Sequence, residues 1–183
     1  MTDTAHQFSK MTLALHWLIA LIMISMLALG LYMEGMEDGA DKWALYGWHK
    51  AAGVYGLVFI LWRFVRRLKL GMPPHVANAD YQSWEKTLSH ITHWVLLLGT
   101  LVMPLSGVCM SFFGGHNIDL FIFVIPGLEP KNEIIGGAAH SVHELAGNAL
   151  VVAIALHAVG AIKHHVLDKD GTFQRMLGKH ITR

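Results

Sequence analysis

A fifteen-residue segment near the C-terminus, HELAGNALVVAIALH, constrains the fold more than any other part of the chain. Its two histidines, His143 and His157, enclose a run that is almost entirely apolar. They lie 14 residues apart, close to four helical turns, so one helix would present both imidazoles on the same face. The helical rise separates them by about 21 Å, most of the roughly 30 Å hydrocarbon core of a bilayer. One membrane-spanning helix would therefore hold a histidine near each membrane face.

The composition indicates a membrane protein with one domain, residues 1–183. Hydrophobic residues make up 54% of the chain and charged residues only 15%, far fewer charges than in a soluble domain. The net charge of +1 gives no support to a nucleic-acid partner. The single cysteine, Cys109, excludes an internal disulfide framework, a cysteine zinc site and an iron–sulfur cluster held by one chain. Thirteen histidines point instead to metal or haem.

Four apolar segments predict an all-α membrane protein with a four-helix transmembrane bundle. They cover residues 11–33, 45–65, 87–113 and 140–166, and Pro104 predicts a kink in the third. The sequence GMPPHVANADYQSWE predicts a loop after the second. Residues 114–139 predict a long loop whose apolar patch, LFIFVIPGL, is too short to span and lies at the interface or packs on the bundle. The first apolar run lacks a small-residue cleavage site, so we expect a retained helix.

The distribution of lysine and arginine predicts that both termini and the loop over residues 66–86 face the cytoplasm. These segments contain most of the basic residues, whereas the two opposite loops contain only Lys42, Lys50 and Lys131. The opposite loops also contain seven acidic residues: Glu34, Glu37, Asp38, Asp41, Asp119, Glu129 and Glu133. The acidic loops are therefore expected on the outer side of the membrane.

Four histidines sort into two pairs by their predicted depth. His16 and His157 lie about two turns inside the cytoplasmic ends of the first and fourth helices, and His49 and His143 lie at the outer ends of the second and fourth. Two imidazoles from facing helices, with a flat macrocycle between them, form a b-type haem site in a helix bundle. The pairs are too far apart for a shared metal cluster, and no inward carboxylates accompany them. A lone intramembrane histidine is also compatible with a proton relay or a packing role.

The same 14-residue spacing marks further positions on the first two helices. Gly30 follows His16 by 14 residues and would let an outer macrocycle approach the backbone. Arg63 follows His49 by 14 residues, at the inner depth, and would pair with a haem propionate. Further glycines lie near the ligands and suit either cofactor clearance or close helix packing: Gly53, Gly56, Gly147 and Gly160.

Three other histidines compete for these roles. His140 lies one turn before His143, but it is 17 residues from His157 and so about 100° off the shared face, which favours His143. His90 and His93 lie at the cytoplasmic edge of the third helix. They suit a quinone headgroup or an inner propionate, or a solvated interfacial pair.

Four pieces of the sequence form a recognisable pattern: LALHWLIA, WHKAAGVYGLVFILWRFVRR, the PP after the second helix, and HSVHELAGNALVVAIALHAVGAIKHH. By these motifs the chain resembles the bacterial cytochrome b561 family of small four-helix di-haem proteins, and the resemblance covers nearly the whole chain. It implies that two non-covalent haem b groups are ligated by His16, His49, His143 and His157. It also implies a location in the bacterial inner membrane and electron exchange between an outer-side donor and ubiquinone.

Some members of the family are similar to superoxide:ubiquinone oxidoreductases. For that activity, positive charge should surround the outer haem, because superoxide is an anion. Lys42 and Lys50 would form a local positive funnel, but the acidic outer loops suit a basic protein donor such as a soluble cytochrome better. By depth alone, a quinone headgroup would lie near these residues: Arg63, His90, His93 and Trp84.

Two other classes of function remain open. The chain is also suited to be the membrane anchor subunit of a larger dehydrogenase or hydrogenase, and a partner chain would then copurify. A haem-free transporter or proton-relay protein would use the same intramembrane histidines.

Overall fold

The structure is a computed structural model that describes residues 3–76 and 81–181. Four long helices account for most of it: α1 (Lys10–Glu34), α2 (Ala40–Leu70), α3 (Ser83–Phe113) and α4 (Glu133–Lys163). Two short strands lie between α3 and α4, β1 (Ile118–Asp119) and β2 (Val124–Ile125). A π-helical turn (His164–Asp168) and a short helix, α5 (Thr172–Met176), follow α4. Residues 77–80 of the predicted loop and Arg183 of the basic tail lie outside the described residues.

Polar caps set the helix ends, which extend beyond the apolar segments. The Ser9 side chain accepts a hydrogen bond from the Thr12 N–H and begins α1. Gln82 and Glu85 form a reciprocal capping box, so α3 begins at Ser83, inside the segment predicted to be a loop. α3 continues through Pro104 to Phe113.

The outer loop between α3 and α4 has fewer residues than predicted and contains a β-hairpin. The Asn132 side chain caps α4, which begins at Glu133, seven residues before the predicted apolar segment. Gly136 is buried against the backbone of Gly114, and this packing offsets the poor helix propensity of glycine. The strands β1 and β2 pair antiparallel as a hairpin, with Ile118 opposite Ile125.

Three helical segments are long and apolar enough to cross a membrane: Lys10–Glu34, Ser83–Phe113 and Glu133–Asp168. α2 has 31 residues, which is long enough, but its basic and acidic side chains make it less apolar than the other three. The protein is therefore a mostly helical membrane protein with three clear apolar spans and a fourth, less apolar helix.

A buried layer crosses the bundle at mid-height. Leu150 on α4 is completely buried and lies seven residues from both His143 and His157. It belongs to the main apolar cluster, together with Met23 of α1 and Ile60 of α2. Met23 lies midway between His16 and Gly30. The layer therefore separates the two levels at which the histidines lie.

The helices do not approach one another evenly. α4 packs extensively on α3, and α2 packs on both α1 and α3. The backbone of α4, by contrast, hardly approaches α1 or α2. Away from the buried layer, the space between α4 and the first two helices is where histidine side chains face each other.

The first and last described segments of the chain lie at one end of the bundle, which we call the inner end; the β1–β2 hairpin marks the outer end. The Ile181 N–H donates to the carbonyl of His6 at 3.0 Å. The buried guanidinium of Arg175 donates to the carbonyls of Thr4, Ala5 and Pro74 at 2.9–3.1 Å. One side chain thus joins the N-terminus, the segment after α2 and the C-terminal segment.

A buried ion pair fastens the N-terminus to α2. Arg67 donates to Asp3 at 2.8 Å, and both side chains are less than a tenth exposed. Burial raises the pKa of Asp3, but hydrogen bonds from the Ser9 N–H, Arg67 and Thr12 outweigh burial and hold that pKa below its ordinary value. The carboxylate therefore stays charged and keeps its buried partner satisfied.

Candidate haem-binding sites

The inner site brings together His16 on α1 and His157 on α4. Their ring centroids are 6.1 Å apart, with 53° between the ring planes. Both side chains are half-buried. The structure thus juxtaposes the two histidines that were paired by depth alone.

The outer site brings together His49 on α2 and His143 on α4. Their ring centroids are 6.4 Å apart, and the planes lie at 78°. Both side chains are half-buried, whereas the competing His140 is exposed. α4 therefore contributes one histidine to each site, as its sequence predicts.

Both separations suit two axial ligands of one metal ion. A metal–imidazole bond is about 2 Å long, and the bonding nitrogen lies about 1.1 Å from the ring centroid, so two imidazoles on opposite sides of one ion have centroids about 6.2 Å apart. The observed 6.1 and 6.4 Å match this value closely.

A hydrogen bond fixes the tautomer of His143. Its Nδ1 lies 2.8 Å from the Met103 carbonyl oxygen, which can only accept, so Nδ1 carries the proton. Nε2 is then the unprotonated nitrogen, with a lone pair available to a metal. The Ser106 hydroxyl also lies 3.2 Å from Nδ1. A Cβ added to Gly107 would lie only 3.0 Å from His143 Cε1, so this glycine makes room for the ring.

The His49 ring has a less complete set of partners. In the described part of the chain, its buried Nδ1 has no hydrogen-bond partner. Gly30 lies beside it, since an added Cβ would lie 3.7 Å from His49 Cε1. Gly30 is therefore next to the outer site at the depth that the sequence predicts.

Arg63 lies at the inner site. It is half-buried on α2 and close enough to interact electrostatically with His16 and His157. A guanidinium in this position is suited to bind a carboxylate such as a haem propionate.

The structure separates His90 from His93. The His93 ring lies edge-on to His157, with centroids 5.3 Å apart, so His93 belongs to the inner site. His90 accepts a hydrogen bond from Trp94 and lines an open cleft of about 340 Å³. The cleft is also lined by His75, Lys86, Thr87 and Ile91. Trp84, the remaining candidate for quinone binding, is mostly exposed.

The other glycines divide between packing and open space. Cβ atoms added to Gly56 and Gly147 would meet Ile22 and Met103 at 3.1 and 3.3 Å, so these two glycines permit close helix packing. An added Cβ at Gly160 meets nothing within 4 Å, which leaves space beside the inner site.

The sequence does not predict that Ser106, Gly107 and the Met103 carbonyl belong to the outer site. Their only sequence signal is a pair of adjacent small residues in an apolar helix, and that pattern is equally typical of helix packing.

Comparisons with known proteins identify the family of this chain. The family model for prokaryotic cytochrome b561 matches residues 7–179. Cytochrome b561 homolog 2 of Escherichia coli K12 is 31% identical, over 97% of this chain and 95% of the relative. The probable superoxide oxidase CybB of Yersinia pestis is 26% identical, over 94% of this chain and 97% of the relative. Cytochrome b561 homolog 1 of Escherichia coli K12 is 25% identical, over 94% of this chain and 97% of the relative.

Proposed function

Because this chain belongs to the prokaryotic cytochrome b561 family, we propose that it binds two haem b groups and carries electrons between an outer-side donor and ubiquinone. Family membership makes it a haem-binding electron-transfer protein of a bacterial membrane. The proposal comprises the number of haems and their ligands, the quinone, the donor and the inner-membrane location. Membership in this family also argues against a haem-free transporter.

The observation that carries the proposal is the pair of facing imidazoles at each of two levels, 6.1 Å apart inside and 6.4 Å apart outside. His16 and His157 would hold the inner iron, and His49 and His143 the outer iron. The space between α4 and the first two helices supports this assignment, because a flat macrocycle needs helices that do not touch.

Haem would supply one-electron redox chemistry, and the two histidines at each level would hold it. The surrounding residues set its orientation and environment. The Met103 carbonyl keeps the His143 ring in its tautomer, and Arg63 would bind an inner propionate. The layer around Leu150 places buried apolar side chains between the two levels.

A contact between the first and last described segments supports four membrane crossings. The Ile181 N–H donates to the His6 carbonyl, and two segments that meet on one side of a membrane favour an even number of crossings. Three segments are clear spans, so α2 would be the fourth. Arg66, Arg67 and Lys69 at the inner end of α2 favour a cytoplasmic inner end, in line with the positive-inside rule.

The cleft beside His90 is our candidate for the quinone headgroup. His90 and His75 offer hydrogen-bonding ring nitrogens, and Lys86 adds a positive charge. His90 lies one turn before His93, which touches the inner ligand His157. We expect His90→Ala to slow oxidation of a water-soluble ubiquinol by the purified protein without changing its haem content. Unchanged kinetics would rule out this cleft.

The charges at the outer end bear on the identity of the donor. Lys42 and Lys131 each form an ion pair with a nearby carboxylate at 3.0 Å. Lys50 donates to the Asn117 carbonyl at 2.7 Å. The lysines that were predicted to attract an anion therefore already contact groups of the protein itself. The surplus of exposed carboxylates at the outer end favours a basic redox protein as donor. Superoxide remains the second candidate, because the relative from Yersinia pestis is named a probable superoxide oxidase.

The ligands are tested by counting haem in purified variants. We expect His16→Ala and His157→Ala to remove one and the same haem, and His49→Ala and His143→Ala to remove the other. His140→Ala is the matched control and should keep both. Pyridine haemochrome assays give the stoichiometry, and dithionite-reduced spectra distinguish the two haems. A ligand variant that retains two haems would overturn the pairing.

The donor is tested in liposomes that contain the protein and ubiquinone. A reduced basic c-type cytochrome should pass electrons to quinone at a rate that falls as ionic strength rises, since salt screens charge attraction. In a parallel experiment, a superoxide-generating system replaces the cytochrome as electron donor. Superoxide-dependent quinone reduction well above the spontaneous rate, with no transfer from the cytochrome, would reverse our preference. Copurification of a dehydrogenase would support the anchor-subunit alternative.

A further inference from the structure

The segment after α4 gathers three metal-binding side chains that the haem sites do not use. The π-helical turn carries His164 and Asp168 four residues apart. Lys169 then adopts the left-handed conformation, with φ 50° and ψ 34°, and reverses the chain. Asp170 thereby returns to the same point. A non-glycine residue with positive φ carries a backbone cost, so the surrounding contacts must hold this reversal in place.

The three side chains converge on one nitrogen. His164 Nδ1 lies 2.9 Å from Asp168 Oδ2 and 2.8 Å from Asp170 Oδ2. All three atoms lie within 4.8 Å of one another. Two carboxylates at such a distance repel each other unless a positive charge lies between them.

Hydrogen bonds account for only part of this convergence, since Lys163 donates to Asp168 Oδ2 at 2.7 Å but not to Asp170. Among the described residues, buried His164 Nδ1 and buried Asp170 Oδ2 have no hydrogen-bond partner, although they are only 2.8 Å apart. The Asp170 side chain is 8% exposed. Its other oxygen, Oδ1, accepts from the Thr172 N–H at 2.8 Å, which aims Oδ2 at His164. The Tyr81 ring packs against the imidazole, with centroids 5.3 Å apart.

We propose that His164, Asp168 and Asp170 bind a first-row divalent metal ion, such as Mn²⁺ or Zn²⁺, at the inner end of the bundle. Ligands at right angles around an ion, with bonds of about 2.1 Å, have donor atoms about 3 Å apart. The two observed separations of 2.8 and 2.9 Å fit this spacing. One imidazole and two carboxylates suit Mn²⁺, Fe²⁺ or Zn²⁺ better than Ca²⁺, which prefers oxygen ligands alone.

The charges around the cluster are only partly balanced by protein cations. Lys163 Nζ lies 2.7 Å from Asp168 Oδ2 and 2.7 Å from a Glu85 oxygen of α3, so a metal ion at Asp168 Oδ2 would share that oxygen with the ammonium or displace it. Arg175 interacts electrostatically with Asp170, but its hydrogen bonds go to backbone carbonyls. An imidazolium at His164 is the competing arrangement, because one proton would also relieve the repulsion between the two carboxylates.

The ion would fasten the C-terminal segment to the end of α4. His164 lies seven residues after His157, and Thr172, which holds Asp170, begins α5. α5 carries Arg175, which joins three separate segments at the inner end. Metal binding would therefore stabilise the inner end as a whole.

The test measures Mn²⁺ binding to the full-length protein in detergent, after EDTA treatment and removal of the chelator. Free Mn²⁺ is read from its six-line EPR signal. We expect one saturable site per chain and displacement of Mn²⁺ by Zn²⁺. His164→Ala and Asp170→Asn should each weaken binding at least tenfold. Asp41→Asn, which changes an exposed aspartate at the outer end, is the matched control and should bind like the wild type.

A second measurement separates a lost ligand from a lost fold. Zn²⁺ should raise the melting temperature of the wild type and of the control but not that of the ligand variants. If Asp170→Asn does not fold, Asp168→Asn tests the same ligand set from its more exposed side. Absence of a saturable Mn²⁺ site in the wild type, or equal affinity in wild type and ligand variants, would overturn the proposal in favour of a protonated His164. Neither outcome bears on haem binding.

Discussion

The close contact between Gly107 and His143 makes a sharp prediction for Gly107→Ala. The new methyl group would lie 3.0 Å from His143 Cε1 and 3.3 Å from Nδ1, whereas nonbonded carbon atoms prefer about 3.5–4.0 Å. The ring cannot turn away freely, because Nδ1 is hydrogen-bonded to the Met103 carbonyl at 2.8 Å. The imidazole must therefore shift by about half an ångström, more than the roughly 0.2 Å tolerance of a metal–ligand distance. Overpacking of this kind costs about 1–3 kcal/mol.

That cost corresponds to a loss of about 5- to 150-fold in affinity for the outer haem, since 1.4 kcal/mol is a factor of ten. Haem per chain, measured after purification under limiting haem, should fall from two towards one. The inner haem reports that the variant has folded. Gly137→Ala adds a methyl group to α4 where nothing lies within 4 Å, so it should keep both haems. A Gly107→Ala protein with two haems and unchanged midpoint potentials would refute the reasoning.

Three further substitutions test the inner site, the inner end and the outer end. Arg63→Gln should lower the midpoint potential of the inner haem alone by tens of millivolts. A unit charge about 10 Å away, at an effective dielectric of about 20, contributes about 1.7 kcal/mol. Redox titration measures the potential, with Arg66→Gln as the control variant. Asp3→Asn leaves the buried charge of Arg67 without its ion-pair partner and should cost roughly 3–5 kcal/mol at neutral pH. The pKa of Asp3 is lower in the folded protein than in the unfolded chain. The contribution of the Asp3 carboxylate to stability is therefore fully present above about pH 3.8 and is lost as the pH falls through the folded pKa. The melting temperatures of wild type and variant should converge in acid. Tyr55→Phe removes a 2.6 Å hydrogen bond from the phenol to a hairpin carbonyl and should speed amide exchange in residues 118–125 without changing haem content.

Much of this architecture follows from spacing and hydropathy. Fourteen residues between His143 and His157 fix the face and the depth of two ligand positions, because helix geometry is nearly constant. Depth then selects His16 and His49 as their neighbours, and the ring separations agree with that choice. The burial of Leu150 midway between the two levels follows from the same periodicity.

Features that depend on tertiary packing were beyond the sequence. α4 begins at Glu133 because Asn132 caps it and because Gly136 packs on a neighbouring backbone, and neither contact leaves a hydropathy signal. The edge-on contact of His93 with His157 depends on how α3 is rotated against α4. The convergence of Asp170 on His164 requires a left-handed Lys169, a conformation that the residue type does not favour.

The apolar layer around Leu150 has an electrical consequence. On the proposed topology, an electron that passes from the outer to the inner level traverses about 21 Å of a roughly 30 Å hydrocarbon core, or about seven-tenths of the transmembrane voltage drop. At 100 mV, negative inside, that movement costs about 1.6 kcal/mol. A donor on the outer side of the membrane would therefore need about 70 mV more driving force in an energised membrane than in detergent. Collapsing the membrane potential should speed inward electron flow through this protein and slow the reverse.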